Sequence, residues 1–333
     1  MRYWKHIPAL VLACALLQPA LAQVKSGTAG AQFLKLSPTA RGLAMADALL
    51  PLADDVGALY YNPGGLVQLP EGWHHSITHY ALPVEVSQNW LGSVYSDPET
   101  GSAYGVSLTW LRSGMMDVNT PEMPNGTGQQ FDWQDFALGA TYARRLTNKF
   151  SVGVTAKFVR ESTYEYHANG WAADVGTYYD TGWKSVKMAM SITNFGPDMT
   201  FIDKPFPLPI QFKFGVSADL MGKKADDHYV HGAFEFGHPS DNVEQINVAA
   251  EYAYKDQFIL RLGKKINAVD QKEWDEFDPE SGYEYPLLSL DGLSMGAGFK
   301  WQSESLGRFG LDYAFAPSRY LETRNMITLS WTR

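Results

Sequence analysis

Downstream of residue 72, the chain divides into fourteen short segments in which apolar and polar side chains alternate. From Gln211 to Leu220, for example, every second residue beginning with Phe212 is apolar, and the residues between them are polar or small. A period of two is that of a β-strand, whose successive side chains point to opposite faces. The pattern predicts strands near residues 73–80, 89–96, 101–112, 131–146, 149–163, 168–180, 183–195, 209–220, 228–236, 243–254, 257–266, 290–303, 307–316 and 323–332.

The connections between these segments alternate in length. The second, fourth, sixth, tenth and twelfth connections are tight turns such as Thr147-Asn148, and the eighth, 221–227, is somewhat longer; odd-numbered connections include the long stretches 113–130, 196–208 and 267–289. Long hairpins on one rim and tight turns on the other are typical of outer-membrane barrels. A soluble β-sandwich is the alternative, but it would not explain the parity of the loops. The sequence therefore predicts an all-β fold, a transmembrane antiparallel β-barrel of about 14 strands over residues 73–333.

Composition fits a barrel surrounded by lipid. Charged residues make up 19% of the chain and aromatic residues 14%, against roughly 25% charged residues in soluble domains. Beyond the amino terminus, no stretch supplies the roughly 18 continuous apolar residues of a membrane helix, so spanning requires a closed barrel. Tryptophan and tyrosine residues lie toward the predicted strand ends, where we expect them at the two membrane interfaces: Trp73, Tyr80, Trp90, Trp110, Trp133, Trp171, Trp183, Trp301 and Trp331.

The first 22 residues have the pattern of a secretory signal peptide. Arg2 and Lys5 precede an apolar run, and the small residues ending at Ala22 form a cleavage site. A lipoprotein signal at Cys14 is the alternative, although the apolar run continues past that cysteine. Removing Arg2 and Lys5 leaves 25 basic against 36 acidic residues, a net charge of −11 that argues against nucleic acid as a partner. We expect a mature protein in the outer membrane of a Gram-negative-type bacterium.

Residues 23–72 differ in kind from the barrel segments. Ser37-Pro38 predicts a helix start, with serine as the cap and proline at the first position, and helix formers follow over 39–50. A second short helix is predicted from Asp54 or Asp55 to Tyr61. The run 62–65, Asn-Pro-Gly-Gly, predicts a break or turn.

Three runs in this segment, at 30–34, 40–48 and 53–66, resemble the opening of the PorV/PorQ family, which belongs with the FadL-like outer-membrane barrels. Two departures are Gly64, where alanine is usual after Asn-Pro, and Ala46, where a second glycine is often found. The resemblance implies a fourteen-stranded barrel whose segment 23–72 folds into the lumen as a hatch. It also implies that one motif positions the hatch: Phe33, Leu34, Arg41, Asp54, Asp55, Asn62, Pro63 and Gly64.

For function, the resemblance implies a non-enzymatic role in type IX secretion, as a shuttle or anchor that contacts secretion cargo or translocon proteins. FadL relatives instead admit hydrophobic molecules. The alternative is therefore a channel for hydrophobic small molecules, in which the hatch around Phe33, Leu34 and Leu36 shifts to open a lateral path. A barrel without a transport role is a third possibility. In each case outer-membrane lipid is a partner.

Charged residues of both signs are predicted on the lumen face, where we expect them to pair with one another rather than to line a substrate pathway. No spacing of serine, histidine and acidic residues marks a catalytic site, and neither a cofactor nor a metal is predicted. His74 and His75 fall on opposite faces of one strand. The acidic run between 270 and 284 is predicted as a solvated loop, with calcium as the alternative. The lumen candidates are Lys157, Lys187, Lys213, Asp219, Glu235, Glu251, Arg261, Lys300 and Asp312.

Overall fold

The computed structural model describes residues 27–224, 226–267, 292–317 and 323–333. Within these ranges, fourteen strands form one closed antiparallel barrel, and the first strand pairs with the last. The prediction of about 14 strands is confirmed, and each strand begins and ends within four residues of its expected position. The barrel strands are β1 (Gly72–Ala81), β2 (Ser87–Asp97), β3 (Ser102–Arg112), β6 (Trp133–Arg145), β7 (Phe150–Thr163), β8 (Tyr166–Asp180), β9 (Lys187–Phe195), β12 (Gln211–Met221), β13 (His228–Pro239), β14 (Gln245–Tyr254), β15 (Phe258–Asn267), β16 (Leu293–Ser303), β17 (Gly307–Ala316) and β18 (Arg324–Thr332), whereas β4 (Met116–Asp117), β5 (Gln130–Phe131), β10 (Met199–Phe201) and β11 (Lys204–Phe206) are short strands in the loops.

The two rims of the barrel differ as the loop parity predicts. The even-numbered connections are tight, and the last of them spans only 304–306. The odd-numbered connections include two long loops that contain the short hairpins β4–β5 and β10–β11. The alternating pattern did not predict these hairpins because strands of two or three residues are too short to show a period. The predicted acidic loop lies outside the described residues.

The wall has a local irregularity between β8 and β9. The register shifts between Ala173 and Val175, and Asn194 opposite them adopts a left-handed conformation with φ 59°. Its backbone N–H donates to Oδ1 of buried Asp174 at 2.8 Å. Lys157 Nζ lies 2.6 Å from the other oxygen of the same carboxylate. This arrangement is a β-bulge, in which an extra residue bends one strand and a side chain satisfies the unpaired amide.

The exterior of the barrel is apolar. Outward side chains such as Ile77, Leu138 and Leu260 are 50–60% exposed, as expected where lipid takes the place of water. Toward the rim with the tight turns, aromatic rings form a continuous outer row, with neighbouring centroids 5.2–6.4 Å apart: Tyr95, Trp73, His75, Trp331, Phe309 and Trp301. Such a girdle marks a membrane interface. None of the described helices is long and apolar enough to cross a bilayer.

Two of the predicted interface aromatics lie elsewhere. Tyr80 and Trp90 are only 1% and 2% exposed and pack inside the barrel. Their positions toward strand ends predicted the membrane interface. However, the face on which a strand residue lies depends on whether its position is odd or even, and Tyr80 shares its face with the lumen residues Ser76 and Thr78. Trp133 is also partly buried and stacks on Phe201 at the rim with the long loops. Among the remaining predicted interface residues, Trp73, Trp110, Trp171, Trp183 and Trp301 are exposed.

Residues 27–71, the described part of the hatch, lie inside the barrel as a series of short helical turns. These are the 3₁₀ helices Gln32–Lys35, Leu50–Leu52 and Pro63–Gln68, and the α-helices Ala40–Ala44 and Ala58–Tyr61. Their side chains form most of the core, because the barrel interior closes around them.

The helix boundaries in the hatch correct the sequence prediction. Thr39, and not Ser37, is the cap of the first α-helix, since its Oγ1 accepts from Gly42 N at 3.2 Å. That helix ends at Ala44 because Ala46 and Asp47 have positive φ angles of 49° and 65°. The second α-helix begins only at Ala58, preceded by a turn. The predicted break at the Asn-Pro run is present, because the extended Asn62 ends the second α-helix, and a 3₁₀ helix capped by the same residue starts at Pro63.

Candidate functional site

The hatch touches the wall where the wall presents glycine. Gly153 and Gly176 face the start of the third 3₁₀ helix: a Cβ on Gly153 would lie 2.3 Å from the carbonyl carbon of Pro63, and one on Gly176 would lie 2.7 Å from Cδ of the same proline. Gly263 likewise faces the backbone of Met45, with a Cβ at 2.4 Å. The backbone of the hatch therefore approaches the wall more closely than any other residue type would allow.

A single methyl group at one of these contacts tests this fit. We expect Gly153→Ala to displace the hatch and to cost about 1–3 kcal/mol, as overpacking does. Gly237→Ala is the matched control, because it is also a buried strand glycine but its added Cβ would meet nothing nearer than 3.8 Å. The measurements are the urea midpoint and the rate of protease cleavage within 27–71. Equal behaviour of the two variants would contradict the assignment.

Asn62 makes three hydrogen bonds, two within the hatch and one to the wall. Its Oδ1 accepts from Gly64 N at 3.1 Å, and its Nδ2 donates to the carbonyls of Leu50 and, across the lumen on β8, Thr177, each at 3.1 Å. The side chain is fully buried. An amide that both donates and accepts satisfies this geometry, whereas an aspartate at the same place could not donate. Asn62 therefore holds together two turns of the hatch and one wall strand.

Arg41 is the centre of an ionic network between hatch and wall. Its Nη1 lies 2.7 Å from a carboxylate oxygen of Asp54 and of Asp55, and its Nε and Nη2 lie 3.0 and 3.1 Å from the two oxygens of Glu251 on β14. Glu251 also accepts from Arg261 Nε at 2.7 Å. The guanidinium thus binds a wall carboxylate through two parallel bonds, which is the strongest geometry for such a pair.

Two hatch carboxylates carry charge inside the barrel. Burial raises the pKa of Asp47, but Lys265 and Lys213 together with hydrogen bonds from Lys265 and Ser37 lower it to about 2. Burial also raises the pKa of Asp54, yet Arg41 and Lys224 hold it well below its ordinary value. Both groups are therefore ionised at neutral pH, and the hatch is held by full charges rather than by neutral hydrogen bonds.

The structure places all nine lumen candidates on the inner face of the wall, and most of them pair with protein groups. Besides the network around Arg41, Lys213 lies 3.2 Å from Glu235, Lys300 lies 3.1 Å from Asp256, and His231 contacts Asp219. Arg261 reaches Asp312 at 2.6 Å, and Lys157 reaches Asp174. Lys187 has its Nζ 6.0 Å from the ring centroid of Tyr178. These pairings favour a structural role for the lumen charges over a substrate pathway.

Three cavities follow one another along the lumen. The outer cavity, of about 850 Å³, lies toward the rim with the long loops and is mostly apolar. The constriction behind it has only about 20 Å³, and Phe33 and Leu36 line both. The inner cavity, of about 190 Å³, lies toward the opposite rim, where Arg41, Glu251 and Arg261 line it. In this state, therefore, hatch side chains close the lumen.

Several residues of this site were not predicted from the sequence. Asp47 accepts hydrogen bonds from Ser37, Tyr61 and Lys265. In the sequence it belongs to the run 40–48, but no pattern marked it as a site residue. Asp174 shares its strand face with other buried positions of β8, so its parity could have identified it as a lumen residue. Lys265 shares the parity of Arg261 on β15, so it too could have been identified, whereas Lys224 carries no such signal because it lies in a turn.

The histidines of β1 separate as their parity predicts. His74 is buried, with its ring nitrogens 2.9 Å from the Pro70 carbonyl and 3.1 Å from the Thr332 hydroxyl. His75 faces outward and stacks between Trp73 and Trp331. Within the described residues, no three histidine, cysteine or acidic side chains come together as metal ligands.

Comparison with known proteins shows the fold. No family model and no curated protein sequence matches the chain. Among solved structures, the CymD monoaromatic hydrocarbon channel shares 13% identity, with 89% of this chain and 97% of that chain covered and a TM-score of 0.57. The Pseudomonas putida toluene transporter TodX shares 11% identity over 88% and 96%, with a TM-score of 0.57, and a Pseudomonas aeruginosa FadL homologue shares 10% over 89% and 98%, with a TM-score of 0.54.

These likenesses bear on several predictions. The first two structures are described as a channel and a transporter, and at this identity the likeness shows the fold. The shared fold and the apolar exterior support the predicted outer-membrane location. Nothing in the comparisons points to the PorV/PorQ family within the larger group. The chain has the fold of the FadL-like outer-membrane channels.

Proposed function

We propose that this protein is an outer-membrane channel that admits hydrophobic small molecules. The observation that carries the proposal is the apolar outer cavity, which opens toward the rim with the long loops and ends at the hatch residues Phe33 and Leu36. Ligand sites are concave and mostly apolar, with few polar groups. A cavity of about 850 Å³ matches a small hydrophobic molecule.

Passage beyond the outer cavity requires the hatch to move. The constriction of about 20 Å³ holds no more than a single water molecule. Beyond the constriction, an apolar molecule would meet the charged groups of the inner cavity. Moving there from the outer cavity would bring no gain in free energy. This contrast favours a lateral exit into the membrane above the inner cavity, after displacement of the hatch around Phe33, Leu34 and Leu36.

Protein export stays a prediction from the sequence resemblance. The described loops and rims offer no feature that distinguishes a surface for exported proteins, and the shared fold supports the hydrocarbon-channel alternative better. Loss of the gene should impair uptake of hydrophobic molecules if the protein is a channel and secretion if it assists export, so a single deletion strain distinguishes the two functions.

The test is a deletion strain that carries either the wild-type gene or an empty vector. We expect the strain without the gene to take up radiolabelled toluene at low concentration several times more slowly, and the wild-type gene to restore the rate. Secreted proteins should reach the medium normally in both strains. Unchanged toluene uptake together with secreted proteins stranded in the periplasm would overturn the channel and favour export.

A further inference from the structure

The outer cavity contains two buried carboxylates. Asp135 on β6 and Glu161 on β7 both line it, and they are 5% and 6% exposed. They are direct partners in the register of the two strands. Like charges directly opposite one another on a sheet face are destabilising, and a buried carboxylate without a cation is costly. A cavity that serves only apolar molecules has no need of this pair.

In each carboxylate, one oxygen accepts a hydrogen bond from the protein. Glu161 Oε1 accepts from Ala31 N at 3.0 Å, and Asp135 Oδ1 accepts from the indole N–H of Trp133 at 2.5 Å. For the second oxygen of each group, the described residues supply no donor. The described lining of the outer cavity also contains no lysine, arginine or histidine. The nearest lysine of the hatch, Lys35, is held by Asp241 at 2.8 Å.

We propose, on the basis of the proposed channel function, that the outer cavity selects hydrophobic molecules whose polar end donates hydrogen bonds, above all primary ammonium groups, and excludes those that end in a carboxylate. The apolar wall takes the hydrocarbon part. The two free carboxylate oxygens take the donor end, since charge-assisted hydrogen bonds are the strong ones. An anionic end would place a further negative charge beside two buried carboxyl groups, with no cation in the described lining to offset it.

The test compares three ligands with the same eight-carbon chain: octylamine, 1-octanol and octanoate. Binding to the folded mature chain in lipid nanodiscs is measured by equilibrium dialysis against protein-free nanodiscs, at neutral pH and constant ionic strength. Octylamine carries an ammonium and octanoate a carboxylate under these conditions. We expect octylamine to bind at least about tenfold more tightly than octanoate, with octanol between them.

The double variant Asp135→Asn/Glu161→Gln keeps oxygen acceptors for Trp133 and Ala31 but removes both acidic groups. We expect it to lose the preference for octylamine, with an affinity about tenfold lower. Asp117→Asn/Glu122→Gln is the matched control: it makes the same two substitutions at exposed positions of the β3–β6 loop, and it should bind as the wild type does.

The outcomes separate this inference from the function on which it rests. Binding of all three ligands with equal affinity, or tightest binding of octanoate, overturns the selectivity while leaving a hydrophobic channel intact. Binding of none of them overturns both. If the double variant fails to fold, the order of the three affinities in the wild type decides alone. An octylamine preference that persists in a folded double variant would assign it to the general surface charge and overturn the inference.

Discussion

Replacing Arg41 by alanine is expected to release the hatch from the barrel wall and to turn a closed pore into a conducting one. The guanidinium contacts three carboxylates, two in the hatch and Glu251 on the wall. Glu251 is 4% exposed, and among the described residues it would keep Arg261 as its ion-pair partner. Removing one member of a buried ionic network costs about 3–5 kcal/mol, because a charge is left without compensation.

The consequence is measurable as conductance. In planar bilayers we expect the wild type to stay closed and Arg41→Ala to show open steps, with faster protease cleavage of residues 27–71 in the folded barrel. Arg112→Ala is the matched control, since that arginine pairs with Asp132 on the surface and its side chain is 49% exposed. A surface pair contributes about 0–1 kcal/mol, so this variant should behave as the wild type does.

A second arginine variant tests whether geometry as well as charge is needed. Arg41→Lys keeps a positive charge, but an ammonium cannot form the two parallel bonds to Glu251. We therefore expect it to close the pore only in part. If the pore of Arg41→Ala remains as closed as that of the wild type, the network around Arg41 does not hold the hatch. The contacts between hatch backbone and wall glycines would then have to hold it.

Replacing Phe33 by alanine is expected to speed the entry of toluene by at least about tenfold, which corresponds to about 1.4 kcal/mol of barrier. Phe33 is 3% exposed and lies between the outer cavity and the constriction. Truncating it joins the two spaces and weakens the packing of the hatch around it by about 3–5 kcal/mol. Uptake by cells that carry each variant in the deletion strain is the measurement.

The control for Phe33→Ala is Leu49→Ala. Leu49 is a hatch residue that is 1% exposed and packs with Met45 and Tyr61, but it lines none of the three cavities. Its truncation should cost about 2–5 kcal/mol of stability without a comparable rise in uptake. Equal uptake by the two variants would mean that loosening the hatch anywhere opens the path. No rise with either would place the barrier elsewhere.

The strands were predictable because their signal is local. A half-buried strand needs a side-chain period of two wherever it lies in the chain, so Phe212 to Leu220 could be assigned without knowledge of any partner. The same parity placed Lys157, Glu251 and Asp312 on the lumen face. The prediction for Tyr80 and Trp90 was wrong because it rested on their position along the strand and not on their parity.

The hatch was less predictable, because its helices are set by what surrounds them. Ser37-Pro38 is a good helix start in isolation, yet the Ser37 hydroxyl bonds to Asp47 and leaves the cap to Thr39. Helices of four or five residues have little stability of their own. Their ends therefore follow the shape of the lumen rather than local propensity.

The sequence by itself determined that this chain forms a closed barrel with two unlike rims and a polar inner face, because alternation and loop length are properties of neighbouring residues. Only the tertiary structure decided which charges meet, where the hatch rests, and where space remains. Arg41 and Glu251 are separated by 210 residues, and Lys265 on β15 meets the hatch carboxylate of Asp47 only once the barrel has closed. A cavity is the volume that many distant side chains leave unfilled, so no local pattern encodes it.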